Sequence, residues 1–234
     1  MTTYLYCIRS DADALPAGLV GLDGGSVHTI GAAGMTAWVS EVPGSVEPTV
    51  QHLKAHDAVC AAAMSAGETP LPIRFGQTFA DDAAAASAIV AKQTTLRERL
   101  VRIAGCVELR VVVRRGRDSD VNANPESGAT NLADEPGGGP GTAFLQRLAR
   151  AGRADLAREI SCEEVRYAVR NAAKSLVVDH HRCESARGVA FFPVLVRRAD
   201  VEALRSAVSN VLPSQSIDLA ILGPFAPYSF AADA

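Results

Sequence analysis

The sequence predicts an α+β chain of two α/β-sandwich domains, the C-terminal one ferredoxin-like (βαββαβ), ending in an extended C-terminal tail. Three observations predict it. After Gly105 the order reads strand, helix, strand, strand, helix, strand, the split βαβ order whose antiparallel sheet keeps its helices on one face. Before Gly105 it reads strand, strand pair, helix, short strand, helix, a smaller α+β unit. No short fixed period recurs, which sets aside a solenoid. With 234 residues the chain is long enough for two cores. The expected domains are 1–104 and 105–222, with an unstructured insertion at about 115–140, then a tail over 223–234.

Thr3 to Ile8 is aromatic and β-branched and reads as a first strand. Leu15 to Gly25, rich in glycine, is a loop with turns. Val27–Ile30 and Met35–Val42 are strands that pair through Gly31 and Gly34, and Trp38 anchors the second in the core. Glu47-Pro48-Thr49 opens a helix to about Ala66, with Gly67 beyond its end. Asp82–Ala91 and Thr95–Ala104 are helical, as one helix or two, and Gly105 stops them. In the strand Cys106–Val113, Val107, Leu109 and Val111 alternate with Glu108 and Arg110.

Helical period returns from Thr142 through Val169, with Ser161 and Glu164 spaced as a capping box. Ser175–Arg182 and Gly188–Val196 are strands, Asp200–Leu212 a helix, and Ser216–Leu222 a last strand. Between Arg114 and Pro140 the chain is charged, then rich in Asn, Pro, Ser and Gly, with too little apolar area to offset chain entropy. Removing Ser119 to Gly138 is therefore expected to leave cooperative melting intact, which a thermal scan of the deletion variant checks.

A net charge of −3 gives no basic field for nucleic acid or an anionic surface, and no apolar run approaches the roughly 20 residues of a membrane span. No secretory leader pattern follows Met1, and the five cysteines are scattered without a C-x-x-C pair. They read as small buried hydrophobes in a reducing, cytoplasmic setting. Walker, G-x-S-x-G, H-E-x-x-H and dinucleotide glycine patterns are absent, so no catalytic residue, cofactor or metal site is assigned. His52, His56 and Cys60 share a helix face at metal-ligand spacing, but no fourth ligand is evident and a packed face is the better reading.

The most constrained stretch is Leu71 to Asp82, LPIRFGQTFADD. Pro72 removes a backbone donor, Ile73-Arg74-Phe75 reads as a short strand with Arg74 opposite its neighbours, and Gly76 permits a turn. Asp81 and Asp82 mark a helix start. Arg74 is expected to meet a carboxylate or an exposed carbonyl.

This stretch also carries a likeness. HDAVCAAAMSAGETPLPIRFGQTF resembles the His-x-x-Val … Leu-Pro-x-Arg-Phe-Gly-x-x-Phe signature of the gas vesicle GvpL/GvpF family. GPFAPYSF, Gly223 to Phe230, resembles that family's Gly-Pro-Trp-Pro-Pro-Tyr-Ser-Phe terminus, with Phe225 for the usual tryptophan and Ala226 for the first of the paired prolines. GVAFFPVLVRRADVEAL, TYLYCI and GLVGLDGGSVHTI match in order, so all but roughly Arg115 to Pro140 is covered.

The resemblance implies a non-enzymatic accessory protein of gas vesicle assembly, cytoplasmic and vesicle-associated. It implies binding to the small apolar, GvpA-like shell protein and to other accessory proteins, without nucleic acid, membrane or cofactor. Candidate partner-binding residues are Arg74, Phe75, Phe79, Phe225, Tyr228 and Phe230. The competing reading is a small-molecule-binding or catalytic α+β protein whose site is assembled from loops.

Overall fold

The computed structural model describes residues 1–10, 15–65, 67–115, 162–186, 189–210 and 217–231. The fold is mixed α+β with two antiparallel sheets. The chain falls into two compact units, Met1–Leu109 with Leu195–Ala199 and Gly223–Ala234, and Arg110–Val194 with Asp200–Leu222. Of the expected insertion at about 115–140 only Arg115 is described, at the end of strand Cys106–Arg115; the rest of it and the helical run over 142–161, with Ser161 of the expected capping box, lie outside the described residues. Among those described, no helix is long and apolar enough to cross a membrane.

The first sheet runs β2 (Val27–Ala32), β3 (Met35–Val42), β1 (Thr2–Arg9), β4 (Leu71–Pro72), with β5 (Thr78–Phe79) also on β1. The β2–β3 hairpin turns at Ala33-Gly34, both at positive φ, 52° and 69°, the handedness that matches strand twist. Gly31 lies inside β2 instead of in the turn.

β1 is buried on both faces, and a register shift between Leu5 and Cys7 explains how. Tyr6 is the extra residue of a bulge, so Tyr4, Tyr6 and Cys7 pack on one side while Leu5 and Ile8 pack on the other. The first side is covered by α1 (Val50–Ser65), whose first turn is capped by Thr49 accepting from the His52 N–H at 3.1 Å. The second is covered by α2 (Asp82–Ala91) and α3 (Gln93–Ile103), two helices separated at Lys92. Trp38 is fully buried, as expected of a core anchor, with the Arg9 guanidinium 5.5 Å from its ring centroid and donating to Ala63 O at 2.9 Å.

The glycine-rich loop before β2 is fixed by Tyr6. Its hydroxyl accepts from the Leu22 N–H at 2.8 Å and bonds Ser40 Oγ at 2.7 Å, and a Cβ on Gly21 would lie 2.0 Å from that hydroxyl. At α2, Asp81 caps by accepting from Ala84 N–H at 2.7 Å. Asp82 accepts from Thr3 Oγ1 at 2.6 Å and pairs with His28 Nε2 at 2.9 Å, and these two hydrogen bonds hold its carboxyl below the usual range.

The second sheet is ordered β10 (Ile217–Phe225), β6 (Cys106–Arg115), β9 (Val189–Arg197), β7 (Val177–His180), with β8 (Glu184–Ala186) on β9. The described part of helix α4, 162–172, precedes β7, and α5 (Val201–Ser209) lies between β9 and β10.

Three expectations are corrected here. Cys162 and Cys183 form a disulfide that joins α4 to the segment after β7, so they are not plain buried thiols; Cys7, Cys60 and Cys106 are free and buried. Ile73–Phe75 is not a strand. Pairing occurs at Leu71–Pro72, an edge position where the missing proline N–H costs nothing, and Gly76 at φ 91° then turns the chain.

The tail is not extended throughout. β10 runs on to Phe225, and Tyr228–Ala231 forms a helical turn, α6, with Pro227 just before it, where a missing N–H is tolerated.

Candidate functional site

The first unit carries an open groove of about 870 Å³. Its floor is apolar because β1 and β4 present Leu5, Ile8 and Leu71 there, and Ile73 and Phe79 extend it. One wall is α1, through Leu53, His56 and Asp57; the other is α2 and α3, through Ala88, Ile89, Leu96 and Arg99. Arg74, Phe75 and Gln77 from the turn, Lys92, and Tyr228 and Ala231 from α6 complete the lining.

The aromatic corner of this groove is a hydrogen-bonded cluster. Gly76 N–H donates to Tyr4 Oη at 3.2 Å, which directs the Tyr4 hydroxyl proton to His56 Nδ1 at 2.9 Å. His56 Nε2 then faces Cys60 Sγ at 3.8 Å, and that thiol also points to Tyr6 O at 3.6 Å. Burial holds the Tyr4 phenol well above its usual range, so it stays a donor through neutral pH. Phe75 and Tyr228 flank His56 at ring-centroid distances of 5.8 and 6.0 Å. The cluster therefore fixes the turn that carries Arg74 and Phe75.

Of the six candidate residues, Arg74, Phe75, Phe79 and Tyr228 line the groove. Phe230 does not; it is 1% exposed in the core beside Leu5, Ile8 and Leu71. Phe225 ends β10, half-buried, and is outside the lining. The expected partner for Arg74 is not found. Its side chain is exposed, with no hydrogen bond or ion pair among the described residues.

His52 is engaged away from His56 and Cys60. Its Nδ1 meets Glu47 O at 2.8 Å and its Nε2 meets Asp23 Oδ1 at 2.9 Å, which ties α1 to the glycine loop. Both contacts raise the His52 pKa, the backbone bond to Glu47 most.

Sequence reasoning missed the residue that holds the tail. Glu108 is 1% exposed, though alternation along β6 put it opposite the apolar positions. Its carboxylate accepts from Ser229 N–H at 2.8 Å and from Ser229 Oγ at 3.0 Å, so a buried acid caps the α6 turn. Gly223 lets the backbone of β10 lie close to that of β6, since a Cβ there would lie 2.8 Å from the backbone carbonyl oxygen of Glu108. Arg99 NH1 donates to Ala231 O at 3.1 Å at the other end of the turn.

The family profile described as "Gas vesicle synthesis protein GvpL/GvpF" matches residues 2–232. The chain belongs to the GvpL/GvpF family. Gas vesicle protein L2 of Halobacterium salinarum is 27% identical over 255 residues, which cover 98% of this chain and 91% of that protein. Gas vesicle protein F of a Streptomyces species is 28% identical over 239 residues, 98% and 99% of the two chains.

Crystal structures of GvpF from Anabaena sp. PCC7120 and from Microcystis aeruginosa superpose with TM-scores of 0.71 and 0.69 at 18% identity. Each match covers at least 99% of both chains, so the described residues share the fold of the GvpF structures. Family membership supports a gas vesicle accessory role.

Proposed function

We propose that this protein is a gas vesicle assembly factor that binds the small apolar, GvpA-like shell protein and other accessory proteins, without catalysis and in the cytoplasm. Before assembly a shell subunit of that kind exposes apolar surface that would aggregate in water. Covering one apolar segment in the groove of the first unit would keep such a subunit soluble until it is added to the growing wall.

The observation that carries this reading is that the family's internal motif does not only fill core. Ile73, Arg74, Phe75 and Phe79 form floor and lip of the groove, and Tyr228 of the terminal motif closes it. Two motifs more than a hundred residues apart thus meet at one surface, which is what a shared recognition task predicts. We further read the second sheet as ferredoxin-like, on the strength of its strand order and the helices preceding β7 and β10.

The test is capture of the shell protein from co-expressing cells. Arg74→Ala is expected to lower recovery several-fold, while Arg197→Ala, at the exposed end of β9, leaves recovery unchanged, with both variants melting like the wild type. Equal, near-zero effects of the two variants on recovery would count against the groove. A volume near 870 Å³ also suits a small molecule, the second reading, which a shell-independent ligand retained through purification would favour.

A further inference from the structure

We infer that the groove takes an amphipathic helix whose apolar stripe is flanked by carboxylates, a partner chemistry that rests on the reading of the groove as the docking site. Two features carry this, the state of the sheet edge and the charges on the rim.

The edge strand that floors the groove cannot extend the sheet. β4 has two residues, Pro72 has no N–H, and the next donor, Ile73 N–H, is already spent on Tyr6 O at 2.9 Å. An incoming strand would find no ladder to join along β4, so recognition by main-chain pairing at that strand is closed off. What remains is side-chain docking between α1 and the α2–α3 pair over an apolar floor, the setting into which an amphipathic helix lays its stripe.

The rim is cationic. The lining residues include three cationic side chains, Arg74, Lys92 and Arg99, and one carboxylate, Asp57. Arg99 is engaged with Ala231 O. The side chains of Arg74 and Lys92 are exposed and have no ion-pair partner among the described residues. A purely apolar occupant would strip water from both charges without replacing it, and a basic one would add repulsion. An occupant with glutamates or aspartates beside its apolar stripe instead gives each cation a partner at a partly dried rim.

The experiment uses the full chain and two synthetic helical peptides with leucines at i, i+3, i+4 and i+7, flanked in one by Glu and in the other by Lys. Binding is read by fluorescence anisotropy. The acidic peptide is expected to bind about tenfold more tightly than the basic one, a preference that falls with added salt. The preference is expected to vanish in the Arg74→Glu, Lys92→Glu double variant, whose exposed sites leave its melting unchanged.

Equal binding of both peptides, abolished by the groove-filling Ala88→Trp, would overturn the charge inference and leave the groove reading standing. No binding of either peptide, while shell-protein capture still depends on Ala88, would overturn the helical chemistry. Displacement of a groove-bound dye by a long-chain fatty acid and by neither peptide would assign the site to a lipid and overturn it as well. If Ala88→Trp changes neither peptide binding nor shell capture, the groove reading itself fails.

Discussion

Phe230→Ala is expected to lower stability by about 3–5 kcal/mol, the usual range for emptying a buried phenylalanine site. The ring is 1% exposed in a core cluster with Leu5 and Ile8 of β1, Leu71 of β4, Ile103 of α3 and Leu195 of β9, four elements that cannot all shift to fill the void. For a chain of this length the loss corresponds to a drop in melting temperature on the order of 10 °C. Phe225→Ala, at a half-buried position, is expected to cost distinctly less. Equal shifts for the two would mean that the terminal motif is not anchored through Phe230.

Glu108→Ala is expected to cost about 2–3 kcal/mol, because it strands Ser229 N–H and Ser229 Oγ, both of which donate to a carboxylate. Glu108→Gln keeps the shape and one acceptor, so its cost should be about half as large. The comparison separates the charge from the space it fills. Since the same turn carries Tyr228 into the groove, Glu108→Ala should also weaken shell-protein capture beyond what the unfolded fraction explains. Thermal melting and capture measured on the same preparations check both statements. Wild-type stability in Glu108→Ala would contradict the cap.

How far the sequence discloses this structure depends on how local each determinant is. Strand β1, the β2–β3 hairpin, α1, β6, β9 and α5 are legible because apolar period, turn residues and caps lie within a few positions of one another. The Tyr6 bulge is not, because an extra residue becomes visible only when Leu5 and Cys7 are set against Val39 and Trp38. Glu108 is hidden for a similar reason: its partner Ser229 lies 121 positions away, and alternation alone sends an acid in β6 away from the apolar side. Of the six candidates, all taken from two short motifs, four line the groove, yet Leu53, Ala88, Ile89 and Lys92 enter it only because α1 and α2–α3 flank the same floor. His56, which opens the family signature and lies in α1, is the available signal for the α1 wall.

The most direct measurement is the dissociation constant of the purified full chain for the small apolar shell protein, compared between wild type and Ala88→Trp. Ala88 is a half-buried helix residue on the groove wall, so an indole there fills the space an apolar segment would occupy and leaves the core beneath untouched. The expected result is an unchanged melting temperature with affinity weakened at least tenfold. Wild-type affinity in a folded Ala88→Trp variant would contradict the groove as the docking site.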